Sequence, residues 1–327
     1  MQFKQLGSTG TRVSPLCLGT MTYGSPKWRD WVLDEQASRP FIKKALDAGI
    51  NFFDTADMYS KGESEKVVGK ALLDYAARED FVLASKVYNP MGDGPNNRGL
   101  SRKHIMHAID ASLTRLGTDH IDLYQIHRFD CDTPVEEFME ALHDVVKAGK
   151  ARYIGASSMY AWQFAKCQEI ARANGWTEFV TMQPMYNLVY REEEREMLPL
   201  CADQGVGVIP WSPLARGVLA GKKQGAGSES KRAQTDRMTE KWQLGAAESD
   251  DQVVEALRKV AEARGVPMAQ VALAWVAAHP QVTAPIVGAS KERHLDDAIA
   301  AMDLTLTEDE KTQLEAPYVP HAITGLA

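Results

Sequence analysis

Short apolar runs alternate with amphipathic stretches along almost the whole chain. The stretches between the runs place apolar residues at helical spacing, as in the segment that follows Asp34. The runs themselves have the length and apolar content of buried strands. Eight such runs are present, at residues 15–21, 50–54, 81–86, 121–127, 152–157, 179–183, 206–211 and 284–288. The repeating unit is therefore a strand, a polar loop and a helix.

This alternation predicts the fold. Strands separated by helices pair in parallel through crossover connections, and eight such units close into a (β/α)8 TIM barrel of the α/β class. Turn residues 8–11, between two short extended pieces, predict an additional N-terminal β-hairpin. An open doubly wound sheet is the alternative, but it normally carries a glycine-rich first turn that this sequence lacks. We see no linker between globular halves and predict one domain over residues 1–327.

Two helix starts carry clear capping signals. Ser101 can cap the helix that follows it, and Thr133 stands before Pro134 and Glu136 in the form of a capping box. An extra helix is predicted at residues 267–278 and a closing helix at residues 307–315. Two long loops, at residues 88–99 and 212–250, have the length that in compact domains is usually functional or disordered.

Composition narrows the class of protein. The 327 residues are 44% apolar and 25% charged, which is typical of a soluble globular protein. A net charge of −7 argues against a nucleic-acid or membrane-surface partner, and no apolar run reaches membrane-spanning length. The N-terminus lacks the features of a signal peptide. Four distant cysteines indicate reduced thiols and a cytoplasmic location: Cys17, Cys131, Cys167 and Cys201.

Four titratable residues form a candidate proton-transfer site. Asp54, Lys86 and His127 end three consecutive predicted strands, and Tyr59 lies five residues beyond Asp54. Parallel strands of a barrel end at one face, so these side chains can converge. Asp54 would keep Lys86 charged, and Lys86 would lower the pKa of Tyr59 by stabilising its phenolate. His127 would hold or polarise a carbonyl oxygen. Any one of these residues alone is more often structural, but the four together indicate protonation of an oxyanion.

Other catalytic signatures are absent from the sequence. It contains no GxGxxG, GxxxxGK[ST], HExxH or GxSxG motif. His104 and His107 lie three residues apart on one predicted helix, but no further candidate metal ligands accompany them. We therefore predict no metal site.

The sequence resembles the aldo-keto reductase superfamily. Residues 54–59 match its Asp-x-Ala-x-x-Tyr segment, and Lys86 and His127 fall where its lysine and histidine stand. Further matching segments extend the resemblance over essentially the full chain, at residues 18–21, 155–158, 183–187, 211–217 and 288–291. The pattern is most similar to the bacterial aldehyde-reductase-like branch, which is related to potassium-channel β subunits.

The resemblance implies NADPH-dependent reduction of a small-molecule aldehyde or ketone, with Tyr59 as the general acid. It implies that Ser157 and Gln183 bind the nicotinamide carboxamide and that Trp211 stacks on the ring. Loop residues 212–217 would bind the pyrophosphate, and Lys291 or Arg293 would bind the 2′-phosphate. The complete implied cofactor set is Thr20, Met21, Ser157, Ser158, Gln183, Trp211, Ser212, Leu214, Gly217, Lys222, Arg232, Gly288, Ser290, Lys291, His294 and Asp297.

Two rival functions remain open at this point. One is a Schiff-base aldolase with Lys86 as nucleophile. The other is a nucleotide-sensing partner subunit with vestigial reductase activity, as in the channel β subunits. Substrate specificity is expected from Tyr23, Trp28 and Trp31, from the loop at residues 88–99, from residues 128–130 and from the C-terminal tail. The short C-terminal tail predicts an open pocket with a broad range of substrates.

Overall fold

An eight-stranded parallel sheet forms the centre of the computed structural model, which describes residues 1–221, 235 and 248–326. Its strands are β3 (Cys17–Gly19), β4 (Phe52–Asp54), β5 (Val82–Val87), β6 (Ile121–Ile126), β7 (Ala151–Ser157), β8 (Phe179–Gln183), β9 (Gly207–Val208) and β10 (Ile286–Val287). Neighbours pair in the order β10-β3-β4-β5-β6-β7-β8-β9. Thr283 N donates to Val208 O at 2.8 Å and Ile286 N to Pro210 O at 2.9 Å, which joins the two ends of the sheet. The predicted barrel is confirmed.

Helices cover the outside of this sheet. In the described part of the chain they are α1 (Glu35–Asp47), α2 (Glu63–Tyr75), α3 (Arg102–Leu116), α4 (Val135–Lys147), α5 (Ala161–Asn174), α6 (Met197–Asp203), α7 (Glu248–Arg264), α8 (Met268–Ala278), α9 (Glu292–Ala301) and α10 (Glu308–Glu315). The predicted extra helix and closing helix are α8 and α10. No helix among the described residues is long and apolar enough to cross a membrane.

The barrel strands are buried on both faces. Alternate side chains point to opposite sides of a strand, so Phe52 packs in the barrel interior while Phe53 packs in the large core that includes the helices. Because both faces are apolar, the strands appear in the sequence as nearly continuous apolar runs. Full burial of one such phenylalanine stabilises the fold by about 1.5–3 kcal/mol.

The N-terminal hairpin closes one end of the barrel. Strands β1 (Lys4–Gln5) and β2 (Arg12–Val13) pair antiparallel, as predicted. Leu6 is fully buried in the interior core, and Lys4 Nζ donates to Val282 O at 2.9 Å. Gly7 has a φ of +59°, and a Cβ there would lie 2.4 Å from Val180 O, so no larger residue fits. The hairpin does not cover the opposite end of the barrel. That end holds the C-terminal ends of the parallel strands and is where a site can form.

One of the two predicted helix caps is correct. Ser101 caps α3 by accepting a hydrogen bond from His104 N at 3.3 Å. The predicted Thr133 cap is wrong, because α4 begins at Val135 without a side-chain cap. Thr133 Oγ1 donates instead to Asp130 Oδ2 at 2.8 Å. A carboxylate is a stronger acceptor than a neutral group, and this one lies three residues away.

Candidate active site

Lys86 lies at the centre of the candidate site, near the C-terminal end of β5. Its side chain has no solvent exposure. Nζ donates to Asp54 Oδ1 at 2.5 Å and to the Thr55 carbonyl at 2.8 Å, and it lies 3.4 Å from the Tyr59 hydroxyl. An ammonium has three N–H donors, and each has an acceptor here. The predicted convergence of Asp54, Lys86 and Tyr59 is therefore present.

A tight turn brings Tyr59 back over the end of β4. The tyrosine begins a short 3-10 helix, and the next three residues all have positive φ: Ser60 at 50°, Lys61 at 55° and Gly62 at 91°. Left-handed conformations of serine and lysine are unfavourable and persist only where the surroundings impose them. Ser60 Oγ accepts a hydrogen bond from Ser25 N at 3.2 Å, which helps to hold this turn.

The second oxygen of Asp54 is held by two amides. Gln125 Nε2 and Gln183 Nε2 each donate to Asp54 Oδ2 at 3.0 Å, and Gln183 Nε2 also lies 3.2 Å from Gln125 Oε1. Asp54 is thus fixed by side chains from β5, β6 and β8. The sequence analysis missed Gln125. The alternation of side chains along β6 could have identified it. Leu123 faces the barrel interior, and Gln125, two residues further on, faces the same side.

His127 lies on the other side of Tyr59. The two rings are in an edge-to-face arrangement with centroids 5.8 Å apart. Asn89 Nδ2 lies 3.1 Å from His127 Nδ1. An amide NH2 group only donates, so Nδ1 accepts and the ring proton lies on Nε2. Burial, together with the charges of Lys86 and Arg128, holds the pKa of His127 well below its ordinary value. His127 is therefore a neutral N–H donor; Asn89 had no signal in the sequence.

The pKa of Tyr59 departs from the prediction. Burial raises it, and this effect outweighs the opposing charge of Lys86, so the net shift is upward rather than downward. Tyr59 consequently keeps its proton. Lys86 lies close enough to stabilise the phenolate that would form if the proton were lost. Burial alone would lower the pKa of Lys86, but Asp54 and Tyr59 raise it. A lysine held protonated is a poor nucleophile, which disfavours the Schiff-base aldolase.

A second group of predicted residues lies across the barrel mouth. Ser157 Oγ donates to the Gln183 carbonyl at 2.9 Å and lies 3.1 Å from Ser158 Oγ. Trp211 Nε1 donates to Ser158 Oγ at 3.0 Å, which orients the half-buried indole ring. The structure thus connects four of the predicted residues, although the Gln183 amide is directed at Asp54 and Gln125.

The predicted phosphate-binding residues lie on loops after the last two strands. Ser212 and Gly217 have φ values of 53° and 106°, and Leu214 precedes the 3-10 helix Ala215–Ala220. Gly288 and Ser290 are exposed just before α9, whose N-cap is Lys291. Lys222 and Arg232 lie outside the described residues.

The other residues of the predicted cofactor-binding set lie on α9 and at the end of β3. Asp297 Oδ1 accepts from Gln270 Nε2 at 2.9 Å, and His294 Nδ1 lies 3.5 Å from Ser290 N. Thr20 Oγ1 donates to the Asp54 carbonyl at 2.9 Å, and Met21 is half-buried beside it.

The C-terminal tail reaches the rim of the site. Tyr190 OH donates to the Thr324 carbonyl at 3.1 Å, and Tyr318 OH donates to Glu192 Oε1 at 2.7 Å. A Cβ on Gly325 would lie 3.4 Å from the Trp211 ring, so the tail packs closely on that side chain. This ordered contact argues against the open pocket expected from the tail's length.

The fold and the site together define a class of protein. A closed (β/α)8 barrel holds an ion-paired lysine against a protonated tyrosine, beside a neutral histidine, at the C-terminal ends of its strands. Within the residues that the structure describes, no group of three or more His, Cys, Asp or Glu side chains is arranged to hold a metal ion. This arrangement is suited to moving a proton between the tyrosine and an oxygen atom bound beside it.

Comparison with known proteins identifies the family to which the chain belongs. Residues 15–318 match the Aldo/keto reductase family. Versiconal hemiacetal acetate reductase of Aspergillus parasiticus is 47% identical, with 99% of this chain and 98% of that protein aligned. A putative aryl-alcohol dehydrogenase of Schizosaccharomyces pombe is 44% identical, with 98% of this chain and 96% of that protein aligned. The chain belongs to the aldo/keto reductase family and is an oxidoreductase. These relatives are fungal, so the bacterial branch stays a prediction.

We expect Lys86→Met to destabilise the protein because Asp54 would remain buried without its cation. The free energy of unfolding should fall by about 3–5 kcal/mol, and adding Asp54→Leu should recover part of that loss. Urea unfolding measures both changes. Lys43→Met breaks the exposed Lys43–Asp47 pair and is the matched control, with an expected cost below about 1 kcal/mol. An unchanged urea midpoint for Lys86→Met would contradict the structural role of the pair.

The lowered pKa of His127 predicts a pH-dependent stability. Below about pH 6.5 the unfolded chain binds a proton at this histidine while the folded protein does not. The stability linked to neutral His127 is therefore complete above that pH and is lost as the pH falls. Relative to His127→Asn, the wild type should lose up to about 1.4 kcal/mol per pH unit below pH 6. Urea unfolding from pH 5 to 8 tests this, with exposed His107→Asn as control.

Proposed function

We propose that this chain is a single-domain cytoplasmic enzyme that reduces aldehydes, and ketones of similar shape, with NADPH. The observation that carries this proposal is the contact of Tyr59 with Lys86, 3.4 Å apart in a site that excludes water. The relatives support the same chemistry, because their names describe a hemiacetal acetate reductase and aryl-alcohol dehydrogenases. Carbonyl reduction and alcohol oxidation are the two directions of one reaction.

In this proposal, different site residues position the carbonyl oxygen, protonate it and stabilise the charge that remains. A nicotinamide cofactor, when bound, supplies the hydride that adds to the carbonyl carbon. His127 Nε2–H donates a hydrogen bond to the carbonyl oxygen and positions it. As negative charge develops on that oxygen, Tyr59 transfers its hydroxyl proton to it and becomes a phenolate. Lys86 stabilises the phenolate, and Asp54 keeps Lys86 charged and in place.

The residues near the last two strands fit a dinucleotide. Trp211 presents a ring at the barrel mouth whose orientation is set by a hydrogen bond to Ser158. The helix α9 has ten residues and begins directly after Lys291, so its N-terminus offers backbone N–H groups to a phosphate. Exposed Lys291 and Arg293 add two cations at this point. Together they favour a cofactor with an additional phosphate.

A regulatory role is the alternative. A nucleotide-sensing subunit would not need a complete proton-transfer site. Here the aspartate, tyrosine, lysine and histidine all converge, which favours catalysis.

Tyr59→Phe should abolish most carbonyl reduction while leaving cofactor binding intact. Loss of a general acid is expected to reduce kcat by about 10²- to 10⁴-fold. The measurements are steady-state reduction of a benzaldehyde panel and NADPH binding by protein fluorescence. Tyr75→Phe, which removes an exposed hydroxyl on α2, is the matched control. Wild-type turnover by Tyr59→Phe would remove the tyrosine from its assigned role.

The double substitution Lys291→Ala with Arg293→Ala should weaken NADPH binding selectively. Removing two charge-assisted contacts should raise the Kd for NADPH by about 10- to 100-fold and leave the Kd for NADH nearly unchanged. Calorimetric titration with both cofactors measures the difference. Lys311→Ala, on α10, is the control for loss of a surface lysine. Equal weakening for both cofactors would place the 2′-phosphate contact elsewhere.

A further inference from the structure

Arg128 is a shielded cation beside the proton-transfer site that the chemistry above does not use. It directly follows His127, and its Nη1 donates to the His127 carbonyl at 2.8 Å. The His127 ring lies edge-to-face with Tyr59, with centroids 5.8 Å apart, so Arg128 adjoins a residue that contacts the tyrosine, and its charge favours the phenolates of Tyr59 and Tyr88. Arg128 therefore lies at the barrel mouth, where a substrate must approach Tyr59.

Four other shielded arginines of the described chain each pair with a carboxylate. Arg78 lies 2.8 Å from Asp122, and Arg115 lies 2.6 Å from Glu65. Arg39 and Arg191 have equivalent partners, at Asp74 and Glu194. Arg128 differs from these four, because it forms no ion pair with any residue that the structure describes.

The nearest acidic side chain along the chain is already engaged. Asp130 accepts hydrogen bonds from Leu100 N at 2.7 Å, Asp132 N at 3.0 Å and Thr133 Oγ1 at 2.8 Å. These contacts fix its carboxylate to the loop backbone. Asp130 therefore organises the loops around the site and leaves the charge of Arg128 uncompensated.

A guanidinium has five N–H donors, and the His127 carbonyl takes one of them. A shielded cation without an anion is unfavourable, since removal from water is then not offset by pairing. A ligand that brings a negative charge to this position would offset that cost. The planar fork of arginine matches a carboxylate with two parallel hydrogen bonds. The position and the unused donors indicate a substrate that carries its own carboxylate.

We propose that Arg128 determines substrate class by binding a carboxylate on the carbonyl substrate, so that formyl- and keto-carboxylates are preferred over neutral carbonyl compounds. This inference rests on the proposed carbonyl reduction at Tyr59. It adds that the substrate is held at two points: its carbonyl oxygen accepts hydrogen bonds from Tyr59 and His127, and its carboxylate pairs with the charge of Arg128.

The test compares 2-, 3- and 4-carboxybenzaldehyde with the methyl ester of each, which is neutral and nearly the same shape. For the wild type we expect at least one acid to exceed its ester in kcat/KM. In Arg128→Met the acid-to-ester ratio for that isomer should fall about 10- to 100-fold, mainly through KM. Arg128→Lys keeps the charge but loses the planar fork, and should show an intermediate ratio.

Arg172→Met is the matched control, because it removes an arginine that pairs with Glu178 on the surface. It should leave all three ratios unchanged. A second measurement needs no variant: benzoate should inhibit the wild type competitively with aldehyde and more strongly than benzamide does.

The outcomes separate the two proposals. Ratios that change less than threefold in Arg128→Met for all three isomers would overturn the role of Arg128, and so would equal inhibition by benzoate and benzamide. Both results would leave carbonyl reduction intact. A wild type that reduces neither acids nor esters would overturn the proposed function itself, and the substrate class with it.

Discussion

The structure depends on a lysine ammonium that is enclosed inside the protein. Lys86 has no exposed surface, so its charge must be met by protein atoms. Asp54 supplies the counter-charge, and two glutamine amides hold the other oxygen of that carboxylate. Because each partner comes from a different strand, the ion pair also couples the strands to one another at the functional end of the barrel.

Barrel geometry makes this arrangement possible. The strands run parallel, so their C-terminal ends meet in one ring, and side chains distant in sequence become neighbours. The N-terminal hairpin closes the other end with Leu6 and Val13 in the interior core. The barrel interior is therefore apolar near the hairpin and polar near the C-terminal ends of the strands. The polar side chains there are shielded from water. Such shielding strengthens each electrostatic contact in the site.

The charge states in the site follow from the same shielding. Burial keeps Tyr59 protonated and His127 neutral, so both can act as hydrogen-bond donors in the proposed reaction. Lys86 and Arg128 remain cationic, and both favour the phenolate that forms when Tyr59 gives up its proton. The chain as a whole carries a net charge of −7, yet its site is locally positive. This local field suits the stabilisation of an oxyanion.

The sequence by itself determined the barrel, the hairpin and the chemical identity of the site, because strand and helix periods and the residues at strand ends are local features. Contacts between distant segments were not readable in this way. Asn89 beside His127, the pairing of Thr133 with Asp130 and the upward shift of the Tyr59 pKa all appeared only in the structure. Burial and partner choice decide these properties, and both depend on which segments meet in three dimensions. The lack of an ion pair for Arg128 among the described residues is of the same kind, because it depends on which side chains the fold places around the guanidinium.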